Sequence, residues 1–412
     1  MGHPWAAGLI FLLTYLLLSF QSLPGVFLRR PAAALIGATA MVAAGVVPLD
    51  KAYRLVDLDT IVFLLGMMIV IGYLEVSGFF ERVEGLLLRR ARTPRQLLGL
   101  VVASSGLLSA LFMNDTICLM LTPLVLRAAK RCSLRPAPYL VALATSSNIG
   151  SVFTPMGNPQ NMIVAVHSGI PFLSFVWRLA PVAALGLWLN YHAVRLAYRE
   201  DFAPGRDILP EAPLEPARRG RLLYACLAVT AALLVLLALD VPPPLAAIAA
   251  GAALILAGAT RPREAFARID WELLLMFGSL FVVMGGLREA GLLGALSERA
   301  AELSSSPLAT RLGALAFLST VMSNLVSNVP CVVLLSNLLP SAGGEPALWL
   351  VLASSSTLAG NLTVIGSVAN LIVFETARRD CRVGFWEYLK VGAPLAVLLI
   401  GFSTLWLWYI LP

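Results

Sequence analysis

Charged residues are scarce in this chain: Asp, Glu, Lys and Arg together make up 13% of its 412 residues. A soluble domain carries about 25% charged residues. Hydrophobic residues instead make up 59%, the mean hydropathy is +0.84, and many apolar runs reach the roughly 18 residues that a membrane-spanning helix needs. The composition excludes a soluble protein and predicts an all-α polytopic membrane protein.

Cysteine and histidine are also rare, with five and three residues. Cys118, Cys226 and Cys331 lie inside apolar runs, and no two cysteines have the spacing of a zinc or redox site. We expect no disulfide, no metal cluster and no cofactor other than H+ or Na+ as a coupling ion. The net charge of +7 comes from short basic clusters between apolar runs, as membrane orientation requires, so we expect no nucleic-acid binding.

About ten runs have the length of transmembrane helices. They cover residues 5–22, 32–48, 60–77, 138–166, 172–195, 221–240, 244–260, 271–287, 347–376 and 388–411. Two longer apolar stretches, 96–129 and 307–340, carry polar residues midway, around Asn114 and Asn328. Each predicts two half-helices and a turn, which is a re-entrant hairpin.

Basic residues predict the orientation. Placing Arg29/Arg30 and segments 79–95, 127–137, 195–221, 261–268 and 377–390 in the cytoplasm gives that side 24 of the 30 Lys and Arg residues, as the positive-inside rule requires. The first hairpin then enters from the cytoplasm and the second from outside. Both termini are predicted to lie outside.

An internal duplication relates the two halves. IGYLEVSGFF matches MGGLREAGLL, NDTICLMLT matches NVPCVVLLS, TPMGNPQNMIV matches TVIGSVANLIV and FLSFVWRLAPVA matches FWEYLKVGAPLA, all at offsets of 209 to 214 residues. The predicted orientation runs the copies in opposite directions, so the repeats are inverted. We predict an N-terminal helix at 1–31, a first repeat at 32–198, a cytoplasmic linker at 199–220 and a second repeat at 221–412.

Inverted repeats with interrupted helices are typical of secondary transporters, whose binding sites lie where the breaks meet. Besides the two hairpin tips, the runs 138–166 and 347–376 are predicted to be broken helices. Both contain Gly among polar residues, and the first also contains Pro155 and Pro159. The candidate substrate and ion ligands are Asn114, Asp115, Thr116, Asn148, Thr154, Gly157, Asn158, Asn161, Ser327, Asn328, Thr363, Gly366, Ser367 and Asn370. The alternative is that these are packing kinks whose polar residues bridge helices.

Asp115 is the one carboxylate predicted near the membrane centre, where an acidic group is a functional hypothesis by default. It is the candidate coupling group for H+ or Na+. The alternative is a carboxylate that accepts hydrogen bonds from the hairpin's own amides, as an N-cap does. Val329 occupies the corresponding position of the second repeat, so any coupling is asymmetric.

SALFMNDTICLMLTPLV, FTPMGNPQNMIV and GLREAGLL resemble the ion transporter superfamily of arsenite permeases, divalent-anion symporters and citrate transporters, and most of all its arsenite-permease-like branch. The resemblance implies ten or eleven spans, two re-entrant hairpins, an elevator movement and commonly a homodimer. It also implies that Asn114, Asp115, Thr116, Ser327, Asn328 and the breaks around Gly157 and Gly366 form the sites.

The tips depart from the Ser-Asn-Thr of dicarboxylate symporters, and no deeply buried Arg or Lys is evident to neutralise a multivalent anion. We therefore expect a secondary active transporter, not an enzyme, that moves a small anionic or metalloid solute across a lipid bilayer, the inner membrane of a bacterium. Na+/H+ antiport and sodium-coupled di- or tricarboxylate transport remain open. So do an intramembrane enzyme and a passive channel.

Overall fold

The computed structural model describes residues 4–19, 30–203, 220–257, 262–340 and 343–411, and no strand occurs among them. The helices of the first half are α1 (Pro4–Ser19), α2 (Arg30–Ala43), α3 (Leu49–Leu55), α4 (Leu58–Val76), α5 (Phe79–Arg90), α6 (Pro94–Leu111), α7 (Asn114–Arg131), α8 (Ala137–Ser151), α9 (Pro159–Ser168) and α10 (Phe172–Ala197).

The second half repeats this order. Its helices are α11 (Gly220–Ala238), α12 (Pro243–Leu256), α13 (Pro262–Phe266), α14 (Trp271–Glu289), α15 (Leu292–Ser304), α16 (Leu308–Val326), α17 (Asn328–Ser336), α18 (Pro346–Ala359), α19 (Val368–Ala377) and α20 (Phe385–Ile410). Most of the linker predicted at 199–220 lies outside the described residues.

Seven of the described helices are long and apolar enough to cross a membrane, and α1, α2, α12, α18 and α19 are shorter apolar helices. The predicted all-helical membrane class is therefore confirmed. Helices α3, α5, α13 and α15 were not predicted as elements. Of these, α5 carries Arg89 and Arg90 in its last turn and is strongly amphipathic, as helices that lie along a membrane interface are.

The two interrupted stretches form helix pairs that break at the predicted polar turns. Between α6 and α7 the chain is extended at Phe112, and α7 begins at Asn114. Between α16 and α17 a single residue, Ser327, makes the turn with a φ of 83°, a left-handed conformation that costs a non-glycine residue energy. The partners pack against each other in both pairs, as re-entrant hairpins do.

Contacts between the halves occur in reciprocal pairs. Helix α2 packs on α14 as α12 packs on α4, α7 packs on α19 as α17 packs on α9, and α8 packs on α19 as α18 packs on α9. Contacts that are reciprocal in this way indicate a two-fold relation between the halves, and two inverted repeats produce such a relation. Helix α1 contacts α2 and α14 as α11 contacts α12 and α4, which favours a first repeat that already begins at α1.

A substitution at Gly150 tests the close packing of α6 on α8. A Cβ added at Gly150 would lie 2.0 Å from the carbonyl oxygen of Gly106, and a backbone atom cannot yield as a side chain can. Overpacking of this kind costs about 1–3 kcal/mol, so we expect Gly150→Ala to lower the thermal stability of the detergent-purified protein. Gly313→Ala is the control because nothing lies within 4 Å of its added Cβ. Equal melting temperatures for the two variants would contradict this packing.

Cysteine labelling tests the orientation. Arg89 and Lys130 flank the first hairpin and are exposed, and Ser305 lies between α15 and α16. We expect Arg89→Cys and Lys130→Cys to react with a membrane-impermeant thiol reagent from the cytoplasmic side, and Ser305→Cys from the other side, in a background where the native cysteines are replaced. Labelling of positions 89 and 130 from opposite sides would show that α6 and α7 are not a re-entrant hairpin.

Candidate functional site

The two broken helices are closed by the same asparagine clamp. Asn161 Nδ2 donates to the carbonyl oxygens of Ser151 at 2.9 Å and Thr154 at 3.1 Å. At an offset of 209 residues, Asn370 Nδ2 donates to the carbonyl oxygens of Gly360 at 2.7 Å and Thr363 at 3.1 Å. Each clamp satisfies carbonyls that the break removes from the helix ladder, as buried backbone requires where water is absent.

Each half also completes the break of the other. Asn148 Oδ1 accepts from Ser367 Oγ at 3.0 Å, and Asn148 Nδ2 donates to Asn370 Oδ1 at 3.0 Å. In return, Thr357 Oγ1 accepts from Asn158 Nδ2 at 3.1 Å and donates to Asn161 Oδ1 at 3.3 Å.

Asn148 joins both breaks to the first hairpin tip. Its Oδ1 also accepts from Asn114 Nδ2 at 3.0 Å, and its Nδ2 also donates to Asn361 Oδ1 at 2.8 Å. The four bonds use both donors and both lone pairs of the amide. Asn148 therefore holds the site together and has no capacity left for a solute in this state.

The remaining break residues are also engaged within the protein. Thr154 Oγ1 donates to the carbonyl oxygen of Ala110, and Thr363 Oγ1 donates to Asn324 Oδ1 at 3.1 Å. Gly157 permits a close backbone approach, because an added Cβ would lie 2.2 Å from the carbonyl oxygen of Ser151. At Gly366 an added Cβ would lie 2.7 Å from the side-chain oxygen of Asn324.

A cavity of about 390 Å³ lies between the two hairpin tips, within the volume range of small-molecule sites. Of the predicted site residues, it is lined by Asn114, Asp115, Ser327, Asn328 and Ser367. Thr116, Asn148, Thr154, Gly157, Asn158, Asn161, Thr363, Gly366 and Asn370 do not line it. Some of the predicted residues line the cavity and others form the supporting network around it, while Asn114 and Ser367 belong to both and Thr116 to neither.

Asp115 faces the cavity and does not cap its helix. Helix α7 has Met113 at its N-cap, with no side-chain cap bond. No hydrogen bond joins the Asp115 carboxylate to any described residue, while Arg30 and Asp270 are close enough to interact with it electrostatically. These observations disfavour the N-cap alternative and leave the carboxylate available to an ion or solute.

The cavity holds charges that the sequence did not reveal. Arg30 lines it, and its Nη1 donates to Ser327 Oγ at 3.2 Å. The sequence shows no deeply buried Arg or Lys, and the structure instead places the half-buried Arg30 in the cavity beside the second tip. Asp270, Glu272 and Glu375 also line the cavity. Each of these four residues stands near a helix end, where sequence alone predicts an interfacial position.

One end of the cavity is exposed. Its mouth is formed by the exposed residues Asp270, Glu272 and Glu375, on the side predicted to be cytoplasmic. On the other side α4 packs on α9, and His167 Nε2 lies 3.5 Å from Asp57 Oδ2. Asp57 and Asp270 correspond in the repeat and cap α4 and α14 in the same way.

Thr357→Val tests the hydrogen bonds by which the second half completes the break in the first half. The change keeps the side-chain shape but removes the hydroxyl that bonds Asn158, Asn161 and Gln160. Because it leaves buried amide groups without a partner, we expect a loss of about 1–3 kcal/mol in stability, seen as a lower melting temperature in detergent. The control is Thr404→Val, whose hydroxyl bonds only the carbonyl of Ile400 in its own helix among the described residues. A Thr357 variant as stable as the control would contradict the role assigned to these bonds.

Comparison with known proteins gives the family. Residues 15–355 match the CitMHS citrate transporter family. The silicon efflux transporter LSI3 of Oryza sativa subsp. japonica is 32% identical over 94% of both chains, and the putative transporter arsB of Dictyostelium discoideum is 25% identical over 90% of this chain and 86% of its own.

Among solved structures, the fold resembles the crystal structure of the Alcanivorax borkumensis YdaH transporter, described as having an unusual topology. The TM-score is 0.53 at 17% identity, over 99% of this chain and 98% of that one. The family match agrees with the resemblance seen in the hairpin and break motifs. This chain belongs to the CitMHS citrate transporter family, within the ion transporter superfamily, and is a membrane transporter.

Proposed function

We propose that this protein is a secondary active transporter that moves a small anion or metalloid oxyanion, arsenite-like, by alternating access coupled to H+ or Na+. The observation that carries the proposal is the cavity between the two hairpin tips, which opens on one side and contains Asp115. The name of one relative, a silicon efflux transporter, supports a metalloid solute.

Alternating access is supported by the reciprocal packing of the halves. A two-fold related pair of repeats can adopt two equivalent arrangements that open to opposite sides. Here the end formed by α14 and α19 is open and the corresponding end formed by α4 and α9 is packed. The structure has the features expected of one of the two end states.

The charges of the cavity bear on the substrate. Four acidic residues, Asp115, Asp270, Glu272 and Glu375, line it together with Arg30. A citrate or dicarboxylate ion would meet several like charges, which disfavour binding. The family description, citrate transporter, favours carboxylate transport as the alternative, but the lining charges support an uncharged or singly charged oxyacid.

Asp115 is the proposed coupling group. A carboxylate in a partly buried cavity can bind H+ or Na+, and it can exchange that ion each time the cavity changes sides. Na+/H+ antiport would use the same residue without a further solute. We also propose that the protein resides in a bacterial inner membrane as a homodimer. The relative named inner membrane protein YbiR, 28% identical, supports that location.

A flux screen tests the proposal. Purified protein in proteoliposomes is offered labelled arsenite, sulfate or citrate under an imposed pH or Na+ gradient. We expect gradient-driven, saturable accumulation of arsenite or another small oxyanion. If no solute moves while added Na+ releases protons, Na+/H+ antiport replaces this proposal. Flux that does not saturate and shows no countertransport would indicate a channel.

Asp115→Asn tests the coupling role. The amide cannot carry the charge that a coupling ion must neutralise, so we expect accumulation driven by the ion gradient to disappear while solute exchange without a gradient continues. Asp50→Asn removes an exposed carboxylate on α3, outside the cavity, and should leave both activities unchanged. Accumulation by the Asp115 variant at the level of the Asp50 control would exclude Asp115 as the coupling group.

A further inference from the structure

Arg30 breaks the two-fold relation between the halves. It is the first residue of α2, and the corresponding first residue of α12 is Pro243. Asp115 breaks the same relation, because its counterpart is Val329. Arg30 and Asp115 both come from the first repeat, whereas a third unmatched cavity charge, Glu375, whose counterpart is Val166, comes from the second. Arg30 and Asp115 line the same cavity, where they interact electrostatically.

The guanidinium lies at the tip of the second hairpin. Arg30 Nη1 donates to Ser327 Oγ at 3.2 Å, and Ser327 immediately precedes the first residue of α17. Backbone N–H groups at the start of a helix favour negative charge. An oxyacid oxygen at this tip would thus meet a cation and a hydroxyl as well as a helix N-terminus.

Arg30 stands on a helix that packs mainly outside the hairpins. Helix α2 packs on α1 and α14, whereas the hairpins pack mainly on α8, α9, α18 and α19, with smaller contacts of α16 on α1 and of α17 on α14. If the hairpins move relative to α2 when the cavity changes sides, the contact between Arg30 and Ser327 breaks. The guanidinium is then part of the binding site in only one of the two states.

On the opposite side, the position that corresponds to Arg30 holds no cation. Pro243 and Pro244, the counterparts of Arg30 and Pro31, line a separate surface depression with Asp59 and Val166, and no described hairpin-tip residue lines that depression. When the hairpin tips face that side, they meet the first residue of α12, which is a proline, whereas on the first side they meet Arg30, the first residue of α2.

We propose that Arg30 is a substrate-binding residue that acts on one side only, so that the transporter binds its oxyacid more tightly at the Arg30 face, predicted to be cytoplasmic, than at the opposite face. The inference rests on the proposed function. The inference adds a preferred direction of transport, because the solute is captured efficiently from the Arg30 face and released readily at the other face.

Vesicles of opposite orientation test this inference. Everted vesicles present the Arg30 face to the labelled probe, and right-side-out vesicles present the other face. The probe is whichever of arsenite, sulfate or citrate the flux screen shows to be transported. For Arg30→Gln, we expect the half-saturating concentration to rise about tenfold or more at the Arg30 face, the loss expected for a hydrogen bond to a charged group. The value at the opposite face should not change.

Two controls distinguish binding from folding. Arg263→Gln removes an exposed arginine of α13 that does not line the cavity, and it should leave both half-saturating concentrations unchanged. Arg30→Lys keeps a cation and should restore part of the affinity at the Arg30 face. The final accumulation at a fixed ion gradient should be the same in Arg30→Gln as in the unmodified protein, because a binding residue changes affinity but not the energy of the gradient.

The outcomes separate this inference from the proposed function. If the unmodified protein transports none of the probes, the proposed function fails. If it transports a probe and Arg30→Gln changes neither face, or changes both equally, the one-sided role of Arg30 is overturned while the transport function stands.

Discussion

The structure depends on one requirement of the lipid environment, that every backbone polar group at membrane depth finds a partner inside the protein. Four interruptions create groups that the helices themselves cannot satisfy. The protein meets this requirement in both broken helices with the same device, an asparagine whose amide bonds two freed carbonyls. The breaks can therefore persist without water, and the space they open is available for a solute.

Much of this architecture could be predicted from the sequence. Interruptions in apolar runs, such as Asn114 and Asn328, are local features, and their recurrence at a fixed offset identifies the repeat without any structure. The breaks around Gly157 and Gly366 were predictable for the same reason. Each of these signals lies within a few consecutive residues.

Which of the predicted residues line the cavity and which only support it could not be predicted in this way. Asn148 and Asn114 are both buried amides in polar segments, yet only Asn114 lines the cavity while Asn148 uses all its hydrogen-bonding capacity in the network. Arg30 and Glu375 stand near helix ends, where sequence suggests interfacial charge. Only the convergence of α2, α14 and α19 around the tips places them in the cavity. Asn148 and Thr357 occupy corresponding positions of the two repeats. Because one is an amide and the other a hydroxyl, their equivalent roles are evident only from the hydrogen bonds in the structure.

The mutual completion of the breaks has a consequence for how such a protein arises and changes. Neither half contains all the partners its own polar groups need, since Thr357 serves Asn158 and Asn161, and Asn148 serves Ser367 and Asn370. An ancestral single copy would have required an antiparallel twin to become stable in the bilayer. After fusion of the two copies, a substitution at one of these residues in one half limits which residues are compatible at the positions it contacts in the other half.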